Sequence, residues 1–250
     1  MQETTIAVIG DVHAERERLE RVLARLGSHK PDLALLVGDI GVDPPWSEPA
    51  RSAERAAHDE SVLTVIGRVR VGLGCPVVFV PGNHDLADPP RGIDAVNCDR
   101  RIVEIVGLRI AGLGGAGPAR FGFPYEWDDV EAARALEALA PEPGLVDLAL
   151  CHTPPAETRL DLTQRGDHVG SAAVRRFVAR ARPTLFVCGH IHEAWGVEQV
   201  EGVPCLNAGA LGPPHGQEIG WIVRTRDSVP TAIRSIRSDA EGTVTETDWV

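Results

Sequence analysis

An excess of basic residues is what this sequence most plainly lacks: Lys and Arg total 25 against 36 Asp and Glu, a formal charge of -11. A surface that follows a long nucleic-acid backbone needs a basic stripe, so an extended nucleic-acid surface is excluded on charge. Long apolar runs are missing too; none approaches the roughly 18 to 20 residues that cross a bilayer, which argues against a membrane protein. Cysteine is sparse, five residues without a C-x-x-C pair. Cys151, Cys188 and Cys205 fall inside apolar strand patterns and read as small core residues, not as redox or zinc-thiolate groups. Repeats and low-complexity tracts are absent. Met1-Gln2-Glu3-Thr4-Thr5 runs directly into an apolar strand with no basic or apolar leader, so the protein is expected in the cytoplasm. Hydrophobic residues at 43% and charged residues at 24% are ordinary globular values. Oligomeric state has no signature here.

The informative stretch is Val77-Val78-Phe79-Val80-Pro81-Gly82-Asn83-His84-Asp85, a short apolar run that stops at Pro-Gly and delivers an amide, an imidazole and a carboxylate together. Such a run suits a strand covered on both faces, and sheets of that kind present their chemistry at the carboxyl ends of their strands. The pattern recurs. Ile6 to Gly10 ends in Asp11-Val12-His13, Leu33 to Val37 in Gly38-Asp39, Val146 to Cys151 in His152, and Leu185 to Cys188 in Gly189-His190-Ile191-His192. Singly, these are common caps, turn residues and structural histidines. Five strand ends bearing oxygen or imidazole ligands, converging on one edge of a sheet, make a metal site. They span residues 11 to 192, so any cut would divide the site; residues 1–250 are read as a single domain.

Between the ends, apolar spacing at Leu19, Val22, Leu23 and Leu26 predicts a helix stopped by Gly27, and a longer helix is expected from Ser47, as N-cap, to Leu73. Residues 101–106 and 108–113 alternate around Gly107 as a hairpin. The glycine run 112–117 opens no helix, which excludes a dinucleotide fingerprint. Helices are expected over 126–140, ended by Pro141, and from a Ser171 cap to Arg182. Short alternating segments at 196–201, 203–206, 219–224, 229–236 and 243–248 suit antiparallel strands of a second sheet. His29 and His58 lie outside the strand-end blocks and are expected at the surface.

The order Asp11-x-His13, Gly38-Asp39, Gly82-Asn83-His84-Asp85, His152, Gly189-His190-x-His192 resembles the calcineurin-like metallophosphoesterases, over roughly residues 5 to 210, and within them a bacterial and archaeal branch of predicted phosphoesterases. The resemblance implies an α/β fold, a four-layer αββα sandwich of two mixed β-sheets with flanking helices. It also implies two divalent metal ions, one on Asp11, His13, Asp39 and His192, the other on Asp39, Asn83, His152 and His190, with Asp39 bridging. Imidazole and oxygen ligands without thiolate point to Mn, Fe, Zn or Co. By the same resemblance a metal-bridging hydroxide attacks phosphorus while His84 assists the leaving group. The protein-phosphatase pattern Gly-Asp-x-x-Asp-Arg is not met by Gly38-Asp39-Ile40-Gly41-Val42-Asp43-Pro44, so the carboxylate that orients His84 is either Asp85 or Asp43. Asn207 is expected to support the site from behind.

The expected activity is hydrolysis of a small phosphate ester, with phosphodiesters, nucleotides among them, favoured over monoesters or nucleic-acid polymers. A catalytically silent scaffold of the same fold would be expected to have lost His84 or some of the ligands. Four of the eleven aromatic residues crowd into Arg120-Phe121-Gly122-Phe123-Pro124-Tyr125-Glu126-Trp127. That loop either packs onto the next helix or overhangs the metals as a stacking wall. In the second case Phe121 and Tyr125 would stack on substrate, while Arg120, Arg159, Arg165 and His168 would hold phosphate or ribose.

Overall fold

The computed structural model describes residues 1–43, 52–140, 142–239 and 241–249. Two mixed sheets lie face to face. The first has the order β13 (Val244–Asp248), β12 (Val229–Ser238), β11 (Glu218–Arg226), β1 (Glu3–Ile9), β2 (Leu33–Leu36), β3 (Val77–Phe79), β4 (Val96–Asn97). The second runs β5 (Ile102–Ile105), β6 (Leu108–Leu113), β7 (Leu148–Cys151), β8 (Leu185–Cys188), β10 (Val203–Asn207), β9 (Gly196–Val200). Each sheet has a parallel centre, β1-β2-β3-β4 in one and β6-β7-β8-β10 in the other, flanked by antiparallel strands.

Strict alternation along the central strands produces four layers. Ile6, Val8, Leu33, Leu35 and Val78 point between the sheets and meet Leu148, Leu150, Leu185, Val187 and Leu206. Their neighbours Ala7, Ile9, Ala34, Leu36 and Phe79 point outward onto α1 (Arg16–Gly27) and α2 (Ser52–Leu73). In the second sheet, Ala149, Cys151, Phe186 and Cys188 face α3 (Asp129–Leu139) and α4 (Ala172–Ala181). A strand buried on both faces must be apolar at every position, hence runs without polar interruption. All five cysteines are free and buried, core residues as expected.

Two expectations about topology need correction. The late segments do not form a second sheet of their own: β9 and β10 extend the sheet of β8, whereas β11 to β13 return to β1 and extend the first sheet. The metal-site strand ends likewise come from both sheets, β1 to β3 from one and β7 and β8 from the other. Within a sheet the ends are level, because Ile9 pairs with Leu36 and Leu36 with Phe79. The Ser47 cap and Pro141 lie outside the described residues. Helix α3 starts later than expected because Asp128 caps it, accepting from the Val130 and Glu131 amides in a capping box. Ser171 caps α4 through the Val174 amide, as the sequence indicates.

Leu35 fills the layer between the sheets at 0% exposure. Leu35→Ala is expected to cost about 2 to 5 kcal/mol of stability, read as a lower urea midpoint at unchanged slope.

Candidate metal centre

The loops after β1 and β2 are zipped together by His13 N–H donating to the Asp39 carbonyl at 2.8 Å and Ala14 N–H to Ile40 at 3.0 Å. This join demands left-handed backbone at His13 (φ 46°), Asp39 (φ 47°) and, from the other sheet, His190 (φ 68°). Such conformations are costly for residues with a Cβ and persist where surrounding contacts enforce them, commonly at functional sites. Two glycines permit the approach: a Cβ on Gly82 would collide with the Asp39 carboxylate, and one on Gly189 with that of Asp11.

Within this joint the expected ligands meet. Asp11 and Asp39 are buried at 0% and 1% exposure. Asp11 Oδ2 accepts from the His190 amide at 2.8 Å and lies 3.1 Å from His192 Nε2. Asp39 Oδ1 accepts from the His84 amide at 2.9 Å. Asp39 Oδ2 lies between imidazoles of both halves, 3.4 Å from His152 Nε2 and 3.6 Å from His13 Nε2. His13 and His192 bring their Nε2 atoms within 3.4 Å of each other, and Asn83 Oδ1 is 3.0 Å from His152 Nε2. Two compact donor groups result, Asp11-His13-Asp39-His192 and Asp39-His152-His190, sharing Asp39.

Second partners set the ring orientations. His152 Nδ1 hydrogen-bonds the Val37 carbonyl at 2.6 Å and His192 Nδ1 the Pro214 carbonyl at 2.6 Å, so both rings donate backward and direct Nε2 to the centre. Asn207, fully buried, donates to the carbonyls of Ile191 and Leu160, steadying the backbone between His190 and His192.

The donor set fits a transition-metal cation on three counts. Asp11 Oδ1 is buried without a hydrogen-bond partner, the imidazoles converge on the carboxylates, and no thiolate is near. Electrostatics agree. Burial disfavours the Asp11 charge, but the His192 hydrogen bond and the charges of His152 and His192 hold its pKa below the usual value. Burial likewise opposes the charge on Asp39, and His152 pulls it well down. Burial opposes charge on His13 and His152, yet Asp43 and Asp39 raise His13 to about 9, and Asp39 and Asp11 raise His152 to about 9. His190, desolvated and beside the His152 charge, falls to about 3. Without a cation, protonated His13 and His152 offset the charge of the buried carboxylates.

The structure resolves the orienting carboxylate in favour of Asp43, whose Oδ1 lies 3.0 Å from His84 Nδ1. Asp85, a catalytic candidate from sequence, has another task. Its carboxylate is nearly buried and accepts from the amides of Gly82, Ile40 and Gly41, at 2.8, 3.0 and 3.2 Å, tying the β2 loop to the β3 loop. His13, His84 and Asp43 also lie within ligand distance of one another. Asp43 is exposed, and the His13 and His84 imidazoles hold its carboxyl well below the usual range.

The aromatic loop overhangs the centre but divides. Phe123 packs on His84 with centroids 4.1 Å apart, and Phe121 stands 74% exposed beside it at 6.5 Å. Tyr125 is not a stacking residue: it is 8% exposed in the α3–α4 core, with its hydroxyl donating to Asp99 and accepting from Arg100. Arg120 is not a phosphate grip either, since it pairs with Glu131 and Asp128 at the α3 N-terminus. Arg159 lies toward Val197, and Arg165 occupies an exposed turn. His168 borders a cavity that reaches Asn83 and His190.

His58 corrects the sequence reading, being 1% exposed; His29 is half-buried. His58 Nδ1 bonds the Val42 carbonyl at 2.8 Å and Ser61 Oγ accepts from the Val42 amide at 2.9 Å, so α2 clamps the residue before Asp43. A signal existed: His58 precedes Val62, Val65, Ile66 and Val69 on the same buried helical stripe.

The family model for calcineurin-like phosphoesterases matches residues 4–194. An uncharacterized protein of Methanocaldococcus jannaschii is 26% identical over 137 residues, a match covering 52% of this chain and 62% of that one, less than two thirds of the relative. Among solved structures, a Thermus thermophilus protein superimposes with TM-score 0.58 at 16% identity, covering 99% of each chain. A dimetal phosphatase from Danio rerio gives 0.56 at 13% identity, covering 98% of each. At these identities the likeness is one of fold. No helix among the described residues is long and apolar enough to cross a membrane.

Metal binding must displace the protons on His13 and His152. Their raised pKa values mean both are protonated at pH 7 without metal, so binding there should release about two protons and tighten as pH rises toward 9. Titration of Mn or Zn into weakly buffered protein reads this directly. Asp39→Ala is expected to weaken metal binding at both donor groups, read by elemental analysis, because Asp39 is the carboxylate they share.

Proposed function

The chain belongs to the calcineurin-like phosphoesterase family, and we propose that it is a dinuclear metal-dependent hydrolase of small phosphodiesters. The observation that carries the dinuclear reading is Asp39 Oδ2, set between His13 of one donor group and His152 of the other. Mn, Fe, Zn or Co bound by Asp11, His13, Asp39 and His192 and by Asp39, Asn83, His152 and His190 would supply Lewis acidity for the phosphate and an acidified water.

The chain's own residues then supply position and proton transfer. His84, held at Nδ1 by Asp43, is the residue assigned to proton exchange with the leaving oxygen. The Asp43 carboxylate fixes the ring, while Phe123 packs against it. Asp85 holds the two loops so that Asp39 and His84 keep their spacing.

A diester is favoured over a monoester by shape and charge. One cavity flanks the centre on the Asn83 and His190 side; another, bordered by His13, Asp43, His84 and His192, flanks the opposite donor group. A diester has two arms to place. Among the described residues bordering either cavity there is no Lys or Arg, so the extra charge of a monoester would meet no ammonium or guanidinium group there. The same lack argues against a polymeric nucleic acid, and the acidic balance supports a small substrate.

His84→Ala should retain both metals while kcat on an alkyl diester falls about 10²- to 10⁴-fold, and less on a nitrophenyl ester whose leaving group needs little protonation. Asp43→Asn should follow the same substrate dependence with a loss of about 10- to 100-fold. Asp85→Asn should instead lower the melting temperature. Loss of metal from His84→Ala would overturn the assignment of that residue.

A further inference from the structure

A cavity of about 340 Å³ opens from the metal centre beside Asn83 and His190, and its far wall is Phe121 and His168. We infer that it seats a planar, base-like ester arm of the substrate, Phe121 stacking on the ring and His168 donating to an oxygen on the arm, so that the preferred diesters are nucleotide esters. This rests on the phosphoesterase reading above and specifies the substrate for that site.

Phe121 leaves its ring in solvent at 74% exposure, although the same loop buries Tyr125 at 8% and Trp127 at 1%. Slack chain does not explain that exposure. The Glu126 carboxylate accepts from the Phe121 amide at 2.8 and 3.0 Å and from the Gly122 amide at 2.9 Å, fixing the turn that carries the ring. Trp127 anchors the loop below, its indole N–H donating to the Gly114 carbonyl at 2.8 Å. An exposed aromatic ring on a fixed platform forms a stacking surface with little ordering left to lose on binding. Ala116, Pro118, Val169 and Ile191 complete a largely apolar lining suited to a flat ring.

His168 supplies the polar anchor. Its Nδ1 lies 2.7 Å from Oδ1 of Asp161, a carboxylate with 0% exposure. Asp161 also accepts from the Thr158, Gly170 and Glu157 amides at 2.8, 3.0 and 3.1 Å. A buried carboxylate held by three backbone amides is an immobile post for an exposed imidazole. The Asp161 hydrogen bond also raises the pKa of His168, favouring the donor form that an oxygen-bearing arm would meet. The metals take the phosphate, Phe121 the base and His168 a hydroxyl or phosphate oxygen between them. His84, at the other cavity, serves the arm that departs.

Binding, not turnover, is the test, so its result stands apart from the activity assays above. Adenosine 5′-monophosphate and methyl phosphate are titrated calorimetrically into manganese-loaded protein. The nucleotide should bind about 5- to 150-fold tighter, the span given by stacking of one base on an aromatic ring. Phe121→Ala should narrow that ratio to within about threefold as the stacking is lost. His168→Asn should narrow it in part, and Arg165→Ala, on the exposed turn outside the cavity lining, should leave it as in the parent. Equal affinities in the parent protein, or a ratio that survives Phe121→Ala, would overturn the proposal.

Discussion

Two carboxylates buried at the joint of two sheets are the constraint on which the rest of the molecule turns. Asp11 and Asp39 have almost no contact with solvent, and a charge so placed costs several kcal/mol unless partners neutralise it. Backbone amides of His190 and His84 satisfy one oxygen of each. The remaining negative charge draws the imidazoles inward, and Asp11 Oδ1 still lacks a partner. A cation satisfies what protons on His13 and His152 satisfy less well, because an imidazole proton can reach one oxygen whereas a metal binds several donors together. The left-handed backbone at His13, Asp39 and His190 is maintained by the same joint.

The sandwich serves that joint. Side chains alternating along β1 to β3 and along β7 and β8 lock the sheets together through a layer of Ile, Val and Leu. The level carboxyl ends of each sheet are thereby held opposite those of the other. Ligands from five strands then need little loop to reach one another, and short connections leave little freedom to misplace them. The sequence pattern made the strands legible, since an apolar run that ends in Asp or His reads the same whichever sheet it joins. For that reason it could not say that two sheets were involved. Strand pairing is a non-local choice: nothing in residues 196–206 or 218–238 distinguishes an edge beside β8 from an edge beside β1, and only packing of the whole chain decides.

Legibility at the site follows the same division. The candidate donors that the structure brings together were readable as a group because each sits at a fixed offset from a strand end and has a chemically demanding side chain. Residues that act through a neighbour were not. Asp43 and Asp85 are equally plausible partners of His84 in one dimension; in three, Asp85 faces inward to the amides of Ile40 and Gly82, and Asp43 is left to meet the imidazole. His58 carries no motif, but its helical register with Val62 and Val69 places it on the buried face, where it holds the backbone before Asp43. In the aromatic loop, composition signalled importance without assigning direction. Tyr125 and Trp127 turned to the core, Phe121 and Phe123 to the site.

That split explains why a site of this kind states its chemistry more openly than its substrate. The candidate donors are fixed by strands, buried charge and left-handed backbone. Most of the groups lining the cavity beside Asn83 and His190 belong to the loops 114–127 and 153–170, where a ring can be exchanged or an imidazole moved without disturbing a strand. In this chain those loops are themselves braced, one by Glu126 and Trp127, the other by Asp161. This bracing holds Phe121 and His168 beside the cavity that reaches Asn83 and His190, and a fixed wall is what the proposed seating of one ester arm there would require.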